Sequence, residues 1–75
     1  MDVFETVKKT IVDTISCKEE DVTLDANIKD LGADSIDAVQ IIMDLEEVYG
    51  IEIDADDAGA FVTVNDVVKY IEEHK

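Results

Sequence analysis

Seventy-five residues allow one domain, residues 1–75, with a small core, because a chain this short buries only roughly 60% of the surface it exposes when unfolded. Twenty acids against six bases leave a formal charge of −14, which repels nucleic acid and anionic membrane surfaces and attracts basic protein patches. The apolar share is 47% but aromatics are only 5%, so the core must be built from Val, Ile, Leu, Ala and Met. The single cysteine, Cys17, has no intramolecular disulfide partner. With no leader and no membrane-length apolar run, the expected setting is a reducing cytoplasm and the expected state a monomer without stable membrane insertion.

Val3, Phe4, Val7, Ile11 and Ile15 recur at helical spacing, and Asp2 with Glu5 stand where an N-cap and its N3 partner would, so the first element is an amphipathic helix. From Ser16 to Asp34 no period is sustained. A connection of that length is unusual in a small domain unless pinned, and Val22, Leu24, Ile28 and Leu31 are the expected pins. A second helix is expected from Ile36 to about Tyr49, with Gly50 in the position of a C-cap glycine. On it Ala38, Ile41, Ile42, Leu45, Val48 and Tyr49 share one sector, which should face the core.

Ile36, Val39 and Met43 fall on the other side of that helix, interleaved with Gln40, Glu46 and Glu47. Spacing alone leaves two readings open: scattered surface apolars of the ordinary kind, or an acid-rimmed docking stripe. Ile51-Glu52-Ile53 alternates like a strand but is too short to stand alone, and reads as a loop with two inward anchors. Asp54 is expected to cap a short helical turn through Ala58, which Gly59 weakens. Thr63 and Asp66 frame a last helix with Val64, Val67, Val68 and Ile71 on one stripe. The expected fold is all-α: a small four-helix bundle of three longer helices and one short third helix, with a long first loop.

The stretch Leu31-Gly32-Ala33-Asp34-Ser35-Ile36-Asp37 sets one serine at the junction of that loop and the second helix. Gly32 permits the turn, and Asp34 with Asp37 resembles a capping box. Ser35 then lies in the first turn, where free backbone N–H groups and the positive end of the helix dipole favour an attached phosphate.

At these residues the chain resembles an acyl carrier protein, whose hallmark is Gly-x-Asp-Ser-Leu; here Ile36 stands for the leucine. The likeness extends through Asp2 to Ile15, Leu45-Glu46-Glu47, Ile51-Glu52-Ile53 and Thr63-Val64 to Tyr70-Ile71. It implies a non-catalytic carrier with 4'-phosphopantetheine bound covalently to Ser35 by a phosphopantetheinyl transferase. Acyl groups would ride as thioesters on that arm between the enzymes of fatty acid synthesis. It also implies a partner face on the second helix comprising Asp34, Ile36, Asp37, Val39, Gln40, Met43, Glu46 and Glu47, meeting basic surfaces of synthesis enzymes and acyltransferases. Two departures stand out: Gln40 where the family's primary fatty acid carriers usually have an acid, and Asp54 where a proline is common. Gln40 keeps open a specialised carrier for polyketide, lipid A or teichoic acid precursors, and an unmodified acidic interaction or ion-buffering module is the rival from another class.

Other chemistry finds little support. A catalytic serine needs a base and oxyanion donors, but the Gly-x-Ser-x-Gly elbow is missing and the one histidine, His74, is penultimate on a helix end expected to fray. Cys17 has no cluster of Lys, Arg or His beside it of the kind that activates a thiol. Asp54-Ala55-Asp56-Asp57-Ala58-Gly59 imitates the opening of an EF-hand, yet Ala58 and Asn65 occupy its fifth and twelfth positions, leaving at most loose divalent association.

Overall fold

Local capping signals place the elements of the computed structural model, which describes residues 2–75. Helix α1, Val3–Ile15, begins where the Asp2 carboxylate accepts the Glu5 N–H at 2.8 Å, and ends on Ser16 in the left-handed region, φ 57°, with its N–H on the Val12 carbonyl. Helix α2, Ser35–Tyr49, carries the capping box of Asp34 and Asp37 and stops at Gly50, whose φ of 65° a side-chained residue adopts only at a cost. Helix α3, Ala55–Ala60, is a short connector, and α4, Val64–His74, starts from a second capping box, Thr63 with Asp66. The two N–H groups of Val62 and Thr63 donate to the Asp66 carboxylate and hold it below the usual value of 3.8.

Packing follows the stripes read from sequence. Helix α1 lies against both α2 and α4, and Val7, Ile11, Ile41, Leu45, Val64, Val67 and Ile71 close the core without an aromatic ring among its buried members. Phe4 packs from the side with the Lys8 ammonium 5.3 Å from its ring centroid. Ile53 is buried and Ile51 packs on the core, so the alternating triplet is the anchored loop expected of it.

The long loop is held differently from expectation. Val22 is buried and Ile28 and Leu31 pack on the core, but Leu24 is 42% exposed and pins nothing through its side chain. Its carbonyl does the work instead, accepting the Asn65 N–H at 3.0 Å. The Ala26 carbonyl takes the Val64 N–H and the Val62 carbonyl the Ile28 N–H, each at 3.0 Å. The Asn65 and Val64 bonds satisfy first-turn donors of α4, which lack partners inside their own helix. A single 3₁₀ turn, Glu19–Asp21, also punctuates the loop.

Three further expectations change. Val48 points along the core sector but is 60% exposed, because no element covers that side of the last turn of α2. Asp54 makes no side-chain cap; only its carbonyl bonds, to the Ala58 N–H at 2.9 Å, and α3 continues through Gly59 to Ala60. His74 lies within α4, its ring stacked on Tyr70 at 4.0 Å and its Nδ1 2.7 Å from the Tyr70 carbonyl.

Gly59 sits inside a helix with ordinary backbone angles, and a Cβ there would meet nothing within 4 Å. Gly59→Ala should therefore stabilise the chain by about 0.5–1 kcal/mol through the lost backbone freedom of the unfolded state, raising Tm by a few degrees. An unchanged Tm in thermal unfolding would mean that α3 melts before the rest.

Candidate functional site

Ser35 is the first residue of α2 and is exposed. The Asp37 N–H donates to the Asp34 carboxylate at 2.9 Å and the Asp34 N–H reaches back to Asp37 at 3.4 Å, which fixes the helix entry immediately around the serine. Gly32, at φ 102°, turns the chain into that entry. The N–H groups of Ser35 and Ile36 have no acceptor among the described residues, so the donors that favour a phosphate oxygen remain free beside the hydroxyl.

Ser35 opens onto a groove of about 760 Å³. Ile28 and Ala33 of the loop, Ala38, Val39, Ile41 and Ile42 of α2, and Ala55, Ala58 and Gly59 of α3 line it, with Phe61, Val62 and Val67 at its end. Lys29 and Asp34 are the charged residues on its wall, and no histidine lines it. His74, the one histidine, is engaged by Tyr70 and does not line the groove beside Ser35.

Along α2 the outward stripe is real: Ile36, Val39 and Met43 are 79%, 57% and 56% exposed. They make α2 the least amphipathic of the three long helices. Of their polar neighbours, Asp34, Gln40 and Glu47 are exposed and Asp37 is half-buried, while the Gln40 amide donates to Asp44 one turn on at 2.9 Å. Glu46 differs from the rest. It is half-buried, and its carboxylate accepts the Ile53 N–H at 2.7 Å, a tie that sequence reasoning missed because nothing in a seven-residue separation across a glycine turn announces it.

Tyr70 projects from α4 toward α3. Its ring meets Phe61 edge-on at 5.5 Å, and loss of water around the phenol, the accepting Asp57 carboxylate and the charges of Asp57, Asp54 and Glu46 raise its pKa above 10.0. Among the described residues no three acidic, His or Cys side chains converge to hold an ion, so the acidic segment at 54–57 assigns no ligands to a divalent cation. Among the described residues no helix is long and apolar enough to cross a membrane.

An exposed serine opening a capped helix, unpartnered N–H groups beside it and an apolar groove at its foot are what a carrier domain needs at its attachment point. Comparison with known proteins agrees: the family model described as "Phosphopantetheine attachment site" matches residues 5–71. The chain is 49% identical to the acyl carrier protein of Helicobacter acinonychis over 100% of this chain and 97% of that one. It is 48% identical to the acyl carrier protein of Clostridium perfringens over 96% of each. A solved structure of the acyl carrier protein from Enterococcus faecalis superposes with a TM-score of 0.83 at 35% identity, covering 100% of both chains. The chain belongs to the acyl carrier protein family, a family of non-catalytic carriers bearing phosphopantetheine.

Proposed function

We propose that Ser35 carries the phosphopantetheine arm and that the chain, as one domain and a monomer in the cytoplasm, shuttles acyl thioesters among the separate enzymes of fatty acid synthesis. The observation that carries this reading is the position of Ser35 at the first residue of α2, exposed and at the mouth of the apolar groove. Ser35 Oγ is the atom through which the arm is anchored; the Ser35 and Ile36 N–H groups are placed to donate to the phosphodiester. The bound arm supplies a terminal thiol for thioester formation. The groove wall offers aliphatic surface to a chain folded back from that thiol, and burying it there shields it from water at roughly 0.8 kcal/mol per CH₂. Incubation with a phosphopantetheinyl transferase and coenzyme A should add one phosphopantetheine to the intact mass. An unchanged mass rejects the reading.

Gln40 supports a second reading, a carrier dedicated to polyketide, lipid A or teichoic acid precursors, since it removes a negative charge from the partner face. Which acyl group the protein carries when taken from its native host, read as the mass added beyond the arm, separates the two.

The partner face is the outward stripe of α2, with Ile36, Val39 and Met43 as its apolar middle and Asp34, Asp37, Gln40 and Glu47 around it. Ile36 to Met43 span about two turns, so a partner gripping them has the arm's root beside its entrance. Rim charges set encounter rates, whereas buried apolar contacts set how long a complex lasts. Met43→Ala should speed dissociation from a cognate synthase about tenfold, and Glu47→Lys should slow association several-fold and flatten its salt dependence. Glu20→Lys, in the 3₁₀ turn, is the control. An equal slowing by that change would mean that net charge alone steers the partner.

A further inference from the structure

We propose that Glu46 is a positioning residue of the groove: its carboxylate fixes the α2–α3 connection at Ile53 and so holds α3 in place as the groove's outer wall. The inference rests on the carrier reading only for the groove's use, not for the fixing itself.

Helix α3 has little of its own to hold it. It is six residues long, includes Gly59, buries no side chain, lacks a side-chain N-cap and touches the other helices sparsely. An isolated helix of that length does not persist in water. Apart from the Tyr70 hydroxyl on the Asp57 carboxylate, its position comes from its two ends. The far end is docked by the edge-to-face pair of Phe61 and Tyr70. At the near end one residue makes both ties: the Glu46 carbonyl accepts the Ile51 N–H at 3.2 Å, and the Glu46 carboxylate accepts the Ile53 N–H at 2.7 Å. The second bond is short and charge-assisted, hence stronger than a neutral one, and Ile53 is buried directly beneath it. Beyond Ile53 the chain enters α3, whose Ala55, Ala58 and Gly59 face the groove that Ser35 borders.

The assignment separates Glu46 from Glu47. Both acids lie near the outward stripe, but Glu47 is exposed with no bond among the described residues, whereas Glu46 is half-buried and bonded. Loss of Glu46 should loosen the wall; loss of Glu47 should not.

Hydrogen exchange on the full, unmodified chain tests the tie. In the wild type the Ile53 amide should exchange at least tenfold more slowly than that of Glu52, which has no acceptor among the described residues; equal protection factors overturn the proposal without any variant. Glu46→Ala should speed exchange at Ile53 and at Ala58 about tenfold while leaving Ile11 and Ile71 unchanged. Glu46→Gln, which keeps a carbonyl acceptor, should stay within about threefold of wild type, and Glu47→Ala should match it. Faster exchange at Ile53 in Glu47→Ala, or in Glu46→Gln as much as in Glu46→Ala, overturns the assignment. If Glu46→Ala unfolds, seen as lost protection at Ile11 and Ile71 as well, the wild-type and Glu46→Gln measurements decide. For the groove, an octanoyl thioester on the loaded protein should be cleaved by hydroxylamine several-fold faster in Glu46→Ala and at close to the wild-type rate in Glu46→Gln, in proportion to the loosening at Ala58. Equal cleavage despite loosened α3 amides overturns the wall's role, whereas a wild type that cannot be loaded at all rejects the carrier reading and leaves the tie standing.

Discussion

Ser35→Ala is expected to give a folded protein that gains no mass from a phosphopantetheinyl transferase and coenzyme A under conditions that convert the wild type fully. The structure separates loading from folding at this position. The cap of α2 is made by Asp34 and Asp37, and the Ser35 hydroxyl makes no hydrogen bond among the described residues, so its removal should change stability by less than about 0.5 kcal/mol. Other hydroxyls are poor substitutes. Those of Thr6, Thr10 and Thr14 donate to carbonyls four residues back, and that of Thr63 accepts the Asp66 N–H. Ser16 and Thr23 are exposed but do not begin a helix. Circular dichroism should overlay on the wild type while intact mass stays at that of the bare chain. An arm located on Ser16 or any threonine by tandem mass spectrometry would overturn the assignment.

The parts of this molecule legible in its sequence are those made over three or four residues. Asp2 with Glu5, Asp34 with Asp37, Thr63 with Asp66, and Gly50 each act within one turn, so their spacing announces their bonds. The outward stripe of α2 was readable for the same reason: direction around a helix is a property of position alone. Coverage is not. Val48 has the direction of a core residue and lies in solvent, because only the packing of other helices decides whether a sector is buried. Leu24 misleads in the opposite sense, contributing its carbonyl and not its side chain, and a backbone bond to a residue some forty positions away leaves no mark on residue type. Glu46 combines both difficulties, since its acid type suits a docking rim and its bond crosses the end of its own helix.

Leu45→Ala is expected to cost about 2–5 kcal/mol and to lower Tm by at least about 10 °C. Leu45 has no exposed surface and lies in the core where α1 packs on α2, so truncation leaves a cavity among tightly packed aliphatic side chains. A chain of this size has only roughly 4–11 kcal/mol in total, and the self-repulsion of −14 charges works against compactness. Much of the variant should therefore be unfolded at 37 °C in low salt. Added sodium chloride should recover part of the folded population by screening exposed charges over a Debye length of about 10 Å at 0.1 M. Met43→Ala, two residues earlier on the same helix, should change stability by no more than about 0.5 kcal/mol because its side chain already lies largely in water. The pair fixes the rotation of α2 about its axis, on which both the groove beside Ser35 and the outward stripe depend. Comparable losses from the two changes in denaturant unfolding would mean that the helix is turned away from the orientation described, and the partner face assigned to it would fail with it.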